Sequence, residues 1–251
     1  MHHIGLFTLL VAAAVFAGAQ NALAGGGSFI TFPALLLFGM GARAANITSA
    51  VALFPGQITT GLAGRALVSG AEGLSFRALA AISLVGGAIG AVLLLWTPES
   101  FFSRLVPFLV AFATAVFAWG SFFRRTEEGQ AHLPARWAAV AQFAIAIYGG
   151  YFGGGIGMLM LATLTLAGLA VRRASATKNV LAGVMNASAV LIFASSPDVH
   201  WDAAAAVAVG AIIGGQLGAW LMMRVDEQKL RAGVVALGAV LTIALFLRAY
   251  A

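Results

Sequence analysis

Residues 137–171 read WAAVAQFAIAIYGGYFGGGIGMLMLATLTLAGLAV. No charge interrupts this run, and it is nearly twice the ~20 residues that a helix needs to cross an apolar layer of ~30 Å. It is broken at Gly153-Gly154-Gly155-Ile156-Gly157. Consecutive glycines each cost a helix ~1 kcal/mol relative to alanine, so the run reads as two helical segments joined by non-helical backbone. Residues 1–42 repeat the pattern, with the break at Gly25-Gly26-Gly27. Six further charge-free runs, 44–64, 78–98, 105–123, 179–197, 203–223 and 232–247, each have the length of one span. Splitting the two long runs gives ten segments, five on either side of a polar linker at 124–136.

Composition agrees. The chain is 61% apolar and only 9% charged, far below the quarter or so of charged residues that a water-facing domain carries. The apolar fraction excludes disorder, and the absence of dyad alternation argues against a spanning β-barrel. The fold class is therefore an all-α polytopic membrane protein. With no cysteine there is no disulfide framework, thiolate metal site or persulfide relay. The net charge of +6 invites a nucleic-acid reading, but the 14 Lys and Arg stand singly or in pairs between apolar runs. Such short basic loops follow the positive-inside rule, and no nucleic-acid partner is expected.

The two halves are related. Under a shift of 129 residues, Gly25, Gly26, Gly39, Arg43, Ala45 and Thr48 fall on Gly154, Gly155, Gly168, Arg172, Ala174 and Thr177. With a slip of one residue, VGGAIGA at 85–91 falls on IGGQLGA at 213–219. The expected organisation is a first membrane repeat over 1–123, a cytoplasmic linker over 124–136 and a second membrane repeat over 137–251. If all ten segments cross, the side holding the N-terminus receives Arg43, Arg104 and Arg248. The other side receives the remaining eleven of the 14 basic residues, which makes it the cytoplasm and places both termini outside. Segments 28–39 and 156–168 are short for full spans, and either cross or return as re-entrant hairpins. Each half has an odd number of crossings on both counts, so the repeats are inverted in topology. Ala22-Leu23-Ala24 looks like a signal-peptide cleavage site. The segment before it has no Lys or Arg and has a counterpart in the second half, so a retained helix is expected.

Non-helical backbone at membrane depth survives only where it lines a cavity or is buried by protein. A helix that restarts there presents free N–H groups and a partial positive charge, which suits an anion. Close packing is the competing role of glycine, and it is the one expected of Gly86, Gly90, Gly210, Gly214 and Gly218. The candidate substrate-binding residues of the first half are Gln20, Asn21, Gly25, Gly26, Gly27, Ser28, Asn46, Thr48, Ser49 and Gln57. Those of the second are Gly153, Gly154, Gly155, Thr177, Lys178, Asn179 and Asn186. Amides and hydroxyls hold an oxyanion without adding charge, although interhelical hydrogen bonding is the plainer role of each. Gln57 and Asn186 stand out because they coincide under the 129-residue shift. Arg43, Arg65 and Arg172 are candidates for drawing an anion to either entrance. Lys178 either snorkels to the surface or faces the inner mouth. Every Asp and Glu lies in a loop or at a segment edge, so neither a buried proton relay nor a carboxylate cation site is expected.

The residues then carry a family resemblance. Gly25-Gly26-Gly27-Ser28-Phe29-Ile30-Thr31-Phe32-Pro33, Gly39 and Ala45-Asn46-Ile47-Thr48-Ser49 resemble the first repeat of the sulfite exporter TauE/SafE family, also called the toluene-sulfonate uptake permease (TSUP) family. Gly149-Gly150-Tyr151-Phe152-Gly153-Gly154-Gly155-Ile156-Gly157, Gly168 and Arg173-Ala174-Ser175-Ala176-Thr177-Lys178-Asn179 resemble the second. The first repeat departs from the family's longer Gly run, with Ala17-Gly18-Ala19-Gln20-Asn21 in its place, so Gln20 and Asn21 are expected to shape the pocket there. The resemblance implies a secondary permease of a bacterial inner membrane for sulfite, sulfonates or other small organic anions.

The leading expectation is thus an anion transporter working by alternating access between inverted repeats. Its partners are the lipid bilayer and a small anionic substrate. A coupling ion (H+ or Na+) and a homo-oligomer are both compatible with the sequence. A non-transporting membrane scaffold or assembly protein is the alternative from another class, and a passive anion channel is a close relative of the first. An enzyme needs a nucleophile with a base, or a metal set. His occurs only at 2, 3, 132 and 200, outside the spans, and neither metal nor cofactor is expected.

Overall fold

A computed structural model describes residues 2–23, 26–71, 73–120, 133–221 and 227–250. Gly25 and most of the linker lie outside the described residues. The helices are α1 (His2–Leu23), α2 (Ser28–Leu37), α3 (Ala42–Gly64), α4 (Phe76–Trp96), α5 (Glu99–Ala118), α6 (Ala135–Tyr151), α7 (Ile156–Leu166), α8 (Val171–Phe193), α9 (Trp201–Leu221) and α10 (Glu227–Tyr250). No strand occurs among the described residues. The chain is an all-α, multi-pass membrane protein, and α4, α5, α8 and residues 232–250 of α10 are long and apolar enough to cross a bilayer. α3 is equally long at 23 residues, but it carries a polar stripe whose use appears below.

Local chemistry sets the helix ends. Ser75 caps α4 by accepting the Ala78 N–H at 3.2 Å, the usual role of an N-cap hydroxyl. α2 and α7 end alike. Gly39 and Gly168 adopt φ of +100° and +88°. The next residues, Met40 and Leu169, donate to the carbonyls of Leu35 and Leu164. These are Schellman closures, and the two glycines stand 129 residues apart.

Two faces of the molecule can be traced from their ties. On the first, Arg43 at the start of α3 reaches the Thr97 carbonyl after α4 (2.8 Å) and Asp198 after α8 (2.9 Å). Glu99, opening α5, accepts the Ala42 and Arg43 N–H groups at 2.7 and 3.1 Å. The Tyr250 hydroxyl donates to the Arg104 carbonyl, and the Phe7 ring meets Phe38. On the second face Leu133 N–H donates to Leu166 O at 3.0 Å, and Ser69 is hydrogen-bonded to Thr177.

These ties give the short helices a direction. α1 starts at the first face, and α2 returns to it. α6 starts at the second face, and α7 returns to it. Segments 28–39 and 156–168 are therefore the returning arms of two helical hairpins whose open ends lie at opposite faces of the molecule. α3, α4, α5, α8, α9 and α10 run from face to face. Each hairpin also packs on the other half. α1 lies along α9 and α6 along α4, while α3 meets α8. Small residues bring these partners close. A Cβ at Gly86 would stand 2.6 Å from Ala146 Cβ, and one at Gly210 would stand 2.7 Å from Ala14 Cβ. Lipid supplies no hydrophobic drive between helices, so close van der Waals fit of this kind holds them together. Gly86, Gly90, Gly210 and Gly214 all meet a facing helix in this way.

Candidate functional site

The hairpin tips meet between α3 and α8. Phe32 of α2 and Phe152 at the other tip stack edge to face, with ring centroids 5.8 Å apart. Beside them lies a cavity of ≈ 790 Å³, counting its mouth. α3 lines it with Asn46, Ser49, Ala50, Leu53, Gln57 and Thr60, and α8 with Lys178, Asn179, Ala182 and Asn186. Asn21, Gly26 and Ser28 come from the first tip, and Gly149, Phe152, Gly153, Gly155, Ile156 and Gly157 from the second.

The lining obeys the 129-residue shift. Positions 26, 28, 49, 50, 53 and 57 line the cavity, and so do 155, 157, 178, 179, 182 and 186. On each long helix these residues recur every three or four positions, which is one helical face. Gln57 and Asn186 hydrogen-bond each other through their side-chain amides.

Both tips offer helix N-termini. The first N–H groups of an α-helix have no partner within it. Ser28, opening α2, and Ile156 and Gly157, opening α7, line the cavity, and the N-cap residues Gly27 and Gly155 have no side chain to cap them. α3 behaves differently, because Glu99 sits on its first N–H groups. The α3 N-terminus thus takes a carboxylate, whereas the described lining of the cavity contains none. Gly26 and Gly155 make the two turns with φ of +87° and +75°, a backbone that a side chain rarely adopts. Among the described lining residues there is no Asp or Glu, and Lys178 carries the one charge.

Eleven of the residues singled out in the sequence line the cavity: Asn21, Gly26, Ser28, Asn46, Ser49, Gln57, Gly153, Gly155, Lys178, Asn179 and Asn186. The other described candidates lie elsewhere. Gln20 is fully buried in α1. Gly27 precedes α2 with its N–H on Asn21 Oδ1 at 3.4 Å. Gly154 faces Phe152 and Ala113 behind the tip. Thr48 accepts the His200 N–H at 3.2 Å and donates to the Asp198 carbonyl at 3.4 Å. Thr177 accepts the Ser69 N–H at 3.1 Å and donates to the Ser69 carbonyl at 3.3 Å. Ser69 and Asp198 are again 129 apart, so each threonine fastens the loop that follows the other half's long helix. Arg43 is committed to Asp198 and Thr97. Arg65 and Arg172 are exposed at the second face, away from the lining.

Sequence reasoning passed over Thr60, Ala50, Leu53, Gly149, Phe152, Ile156, Gly157 and Ala182 as site residues. The shift could have found two of them, since Gly157 and Ala50 are the counterparts of the candidates Ser28 and Asn179. Thr60 lies on the same helical face, three residues after Gln57. Asn46 has a further task, donating from Nδ2 to the Tyr151 carbonyl at 3.0 Å and so satisfying the last carbonyl of α6.

Comparison with known proteins adds the family. Residues 10–245 match the model of the family described as "Sulfite exporter TauE/SafE". A "Probable membrane transporter protein" of Haemophilus influenzae is 26% identical over 95% of this chain and 94% of its own. "Probable membrane transporter protein YfcA" of Escherichia coli is 27% identical over 94% of this chain and 88% of its own. "Probable membrane transporter protein ORF9" of a Sinorhizobium species is 28% identical over 96% and 92%. With its full-length match and its paired Gly-broken hairpins, the chain belongs to the sulfite exporter TauE/SafE family.

Proposed function

We propose that the protein is a secondary transporter of small sulfur-containing or organic anions, such as sulfite or sulfonates, and that it works by alternating access between two inverted repeats, 1–123 and 137–251. The observation that carries the reading is the pairing of six lining positions across the 129-residue shift. A site built from equivalent positions of two halves is one that either half can close over by rocking. The chemistry of the lining favours an anion: uncapped helix N-termini, amides, hydroxyls, one ammonium and no carboxylate. Arg65, Arg77, Arg136, Arg172 and Arg173 gather towards the second face. That face is then the cytoplasmic side of an inner membrane, and both termini lie outside. The first face is laced shut by Arg43, Glu99, Thr48 and Asp198, which favours alternating access over an open channel.

The test is thermal stabilisation of the purified chain by sulfite, a small sulfonate, thiosulfate and a carboxylate. Binding to the folded state raises its stability by about 2.7 kcal/mol at a hundredfold excess over Kd. Stabilisation by at least one sulfur oxyanion is expected, and repeating it with Na+ replaced by K+ reads a coupling ion. No stabilisation by any anion would leave a membrane scaffold as the better reading.

A further inference from the structure

We infer that the cavity holds its anion off the two-fold axis, with the charged group on Lys178 and the α7 N-terminus, and that the residue pair at 49 and 178 sets a preference for one negative charge over two. This rests on the anion reading above. The six paired lining positions are alike in geometry, but positions 49 and 178 differ most in charge. Lys178 stands in the second half and Ser49 in the first. The Ser49 hydroxyl is buried and tied to Thr31 Oγ1 at 2.6 Å, so that side of the cavity is neutral and already engaged with α2. Lys178 has no ion pair or hydrogen bond to any described residue. Gly157 stands beside it, since a Cβ built there would lie 3.6 Å from Lys178 Nζ.

The helix termini lean the same way. At the first tip Asn21 Oδ1 already faces the Gly27 N–H. At the second, Ile156 and Gly157 open α7 at the cavity wall, with Gly157 beside Lys178 Nζ. A helix N-terminus contributes about half an elementary charge and serves any oxyanion. A second full charge on the solute would have to lie toward Ala50, Leu53 and Ser49, where no cation meets it. A charge that leaves water without a partner is strongly disfavoured.

The test compares two solutes with a common sulfonate head on the purified full chain: ethanesulfonate, with one charge, and sulfoacetate, with two at neutral pH. Affinities come from the concentration dependence of thermal stabilisation. Ethanesulfonate is expected to bind about tenfold more tightly than sulfoacetate, the scale of a modestly screened charge term. Lys178→Met is expected to lose about tenfold or more for ethanesulfonate, whereas Lys178→Arg keeps the wild-type order. Ser49→Lys, which restores charge symmetry, is expected to reverse the order. Should Lys178→Met or Ser49→Lys not fold, the wild-type order and Lys178→Arg still decide. Sulfoacetate binding the wild type as tightly as ethanesulfonate overturns the inference and leaves the transporter reading standing. So does unchanged ethanesulfonate binding in Lys178→Met. No stabilisation by either solute or by sulfite overturns both.

Discussion

Replacing Gly86 by alanine puts the glycine seam between α4 and α6 under a defined load. The new Cβ would stand 2.6 Å from Ala146 Cβ and 3.1 Å from the Phe143 carbonyl oxygen. Carbon atoms settle at about 3.5–4.0 Å, so the two helices must part by roughly 1 Å. Gly90 and Gly150 lie on the same seam, and the parting is felt along it. A 2.6 Å approach to a helix-borne Cβ falls in the upper part of the overpacking range, about 2–3 kcal/mol, against which alanine returns about 1 kcal/mol of helix propensity. The expected net loss is about 1–2 kcal/mol. Gly183 on α8 is the internal control, because nothing lies within 4 Å of a Cβ built there. Gly183→Ala should gain about 1 kcal/mol. At about 2–4 °C per kcal/mol, the two variants should differ in Tm by roughly 4–12 °C in detergent. The reasoning fails if Gly86→Ala melts with the wild type, or if Gly183→Ala falls alongside it.

Two further outcomes follow from the tips and the first face. Gly155→Ala forces a side chain onto a φ of +75° and within 3.2 Å of Ala113, a backbone strain of about 1–2 kcal/mol. It should displace the α7 N-terminus and weaken sulfonate binding more than it lowers Tm, and equal losses in both would refute a binding role for this turn. Asp198→Asn removes the ion pair with Arg43 that joins α3 to the loop after α8. A part-exposed pair is worth about 1 kcal/mol at most, which is about a fivefold shift in the open population of that face. The chain has no native cysteine, so an Ala50→Cys reporter can be labelled with an impermeant maleimide from outside. Faster labelling in Asp198→Asn is expected, and an unchanged rate would show that the pair does not hold the face shut.

Much of the architecture is written in one-dimensional signals. Charge-free runs mark the segments, and consecutive glycines mark the turns at Gly26 and Gly155, because no other residue makes those turns cheaply. Gln57 and Asn186 could be paired from the 129-residue shift alone, and their side chains touch. What the sequence hides is direction and distance. A ten-residue apolar helix such as α2 has the same composition whether it runs on or turns back, and the contact of Phe38 at its end with Phe7 near the start of α1 shows that it turns back. Thr48 and Thr177 look like cavity hydroxyls because they share a helix with the lining. One helical turn is 3.6 residues, and their place on it turns them toward the loops at Asp198 and Ser69 instead. Phe152 and Ile156 escape notice for the opposite reason, since an apolar wall of a cavity resembles any other apolar residue in lipid.

The exchange of hairpins between halves bears on how such a chain is made. As the nascent polypeptide leaves the ribosome, α1 enters the bilayer with the glycine edge at Gly18 bare, and its partner α9 is nearly two hundred residues behind it in the queue. The edge of α4 at Gly86 and Gly90 waits in the same way for α6. Until those partners emerge, each early helix has lipid or the insertion machinery for a neighbour. A ribosome stalled before α9 therefore leaves a product with an open seam, an obvious handle for membrane proteases that clear unfinished chains.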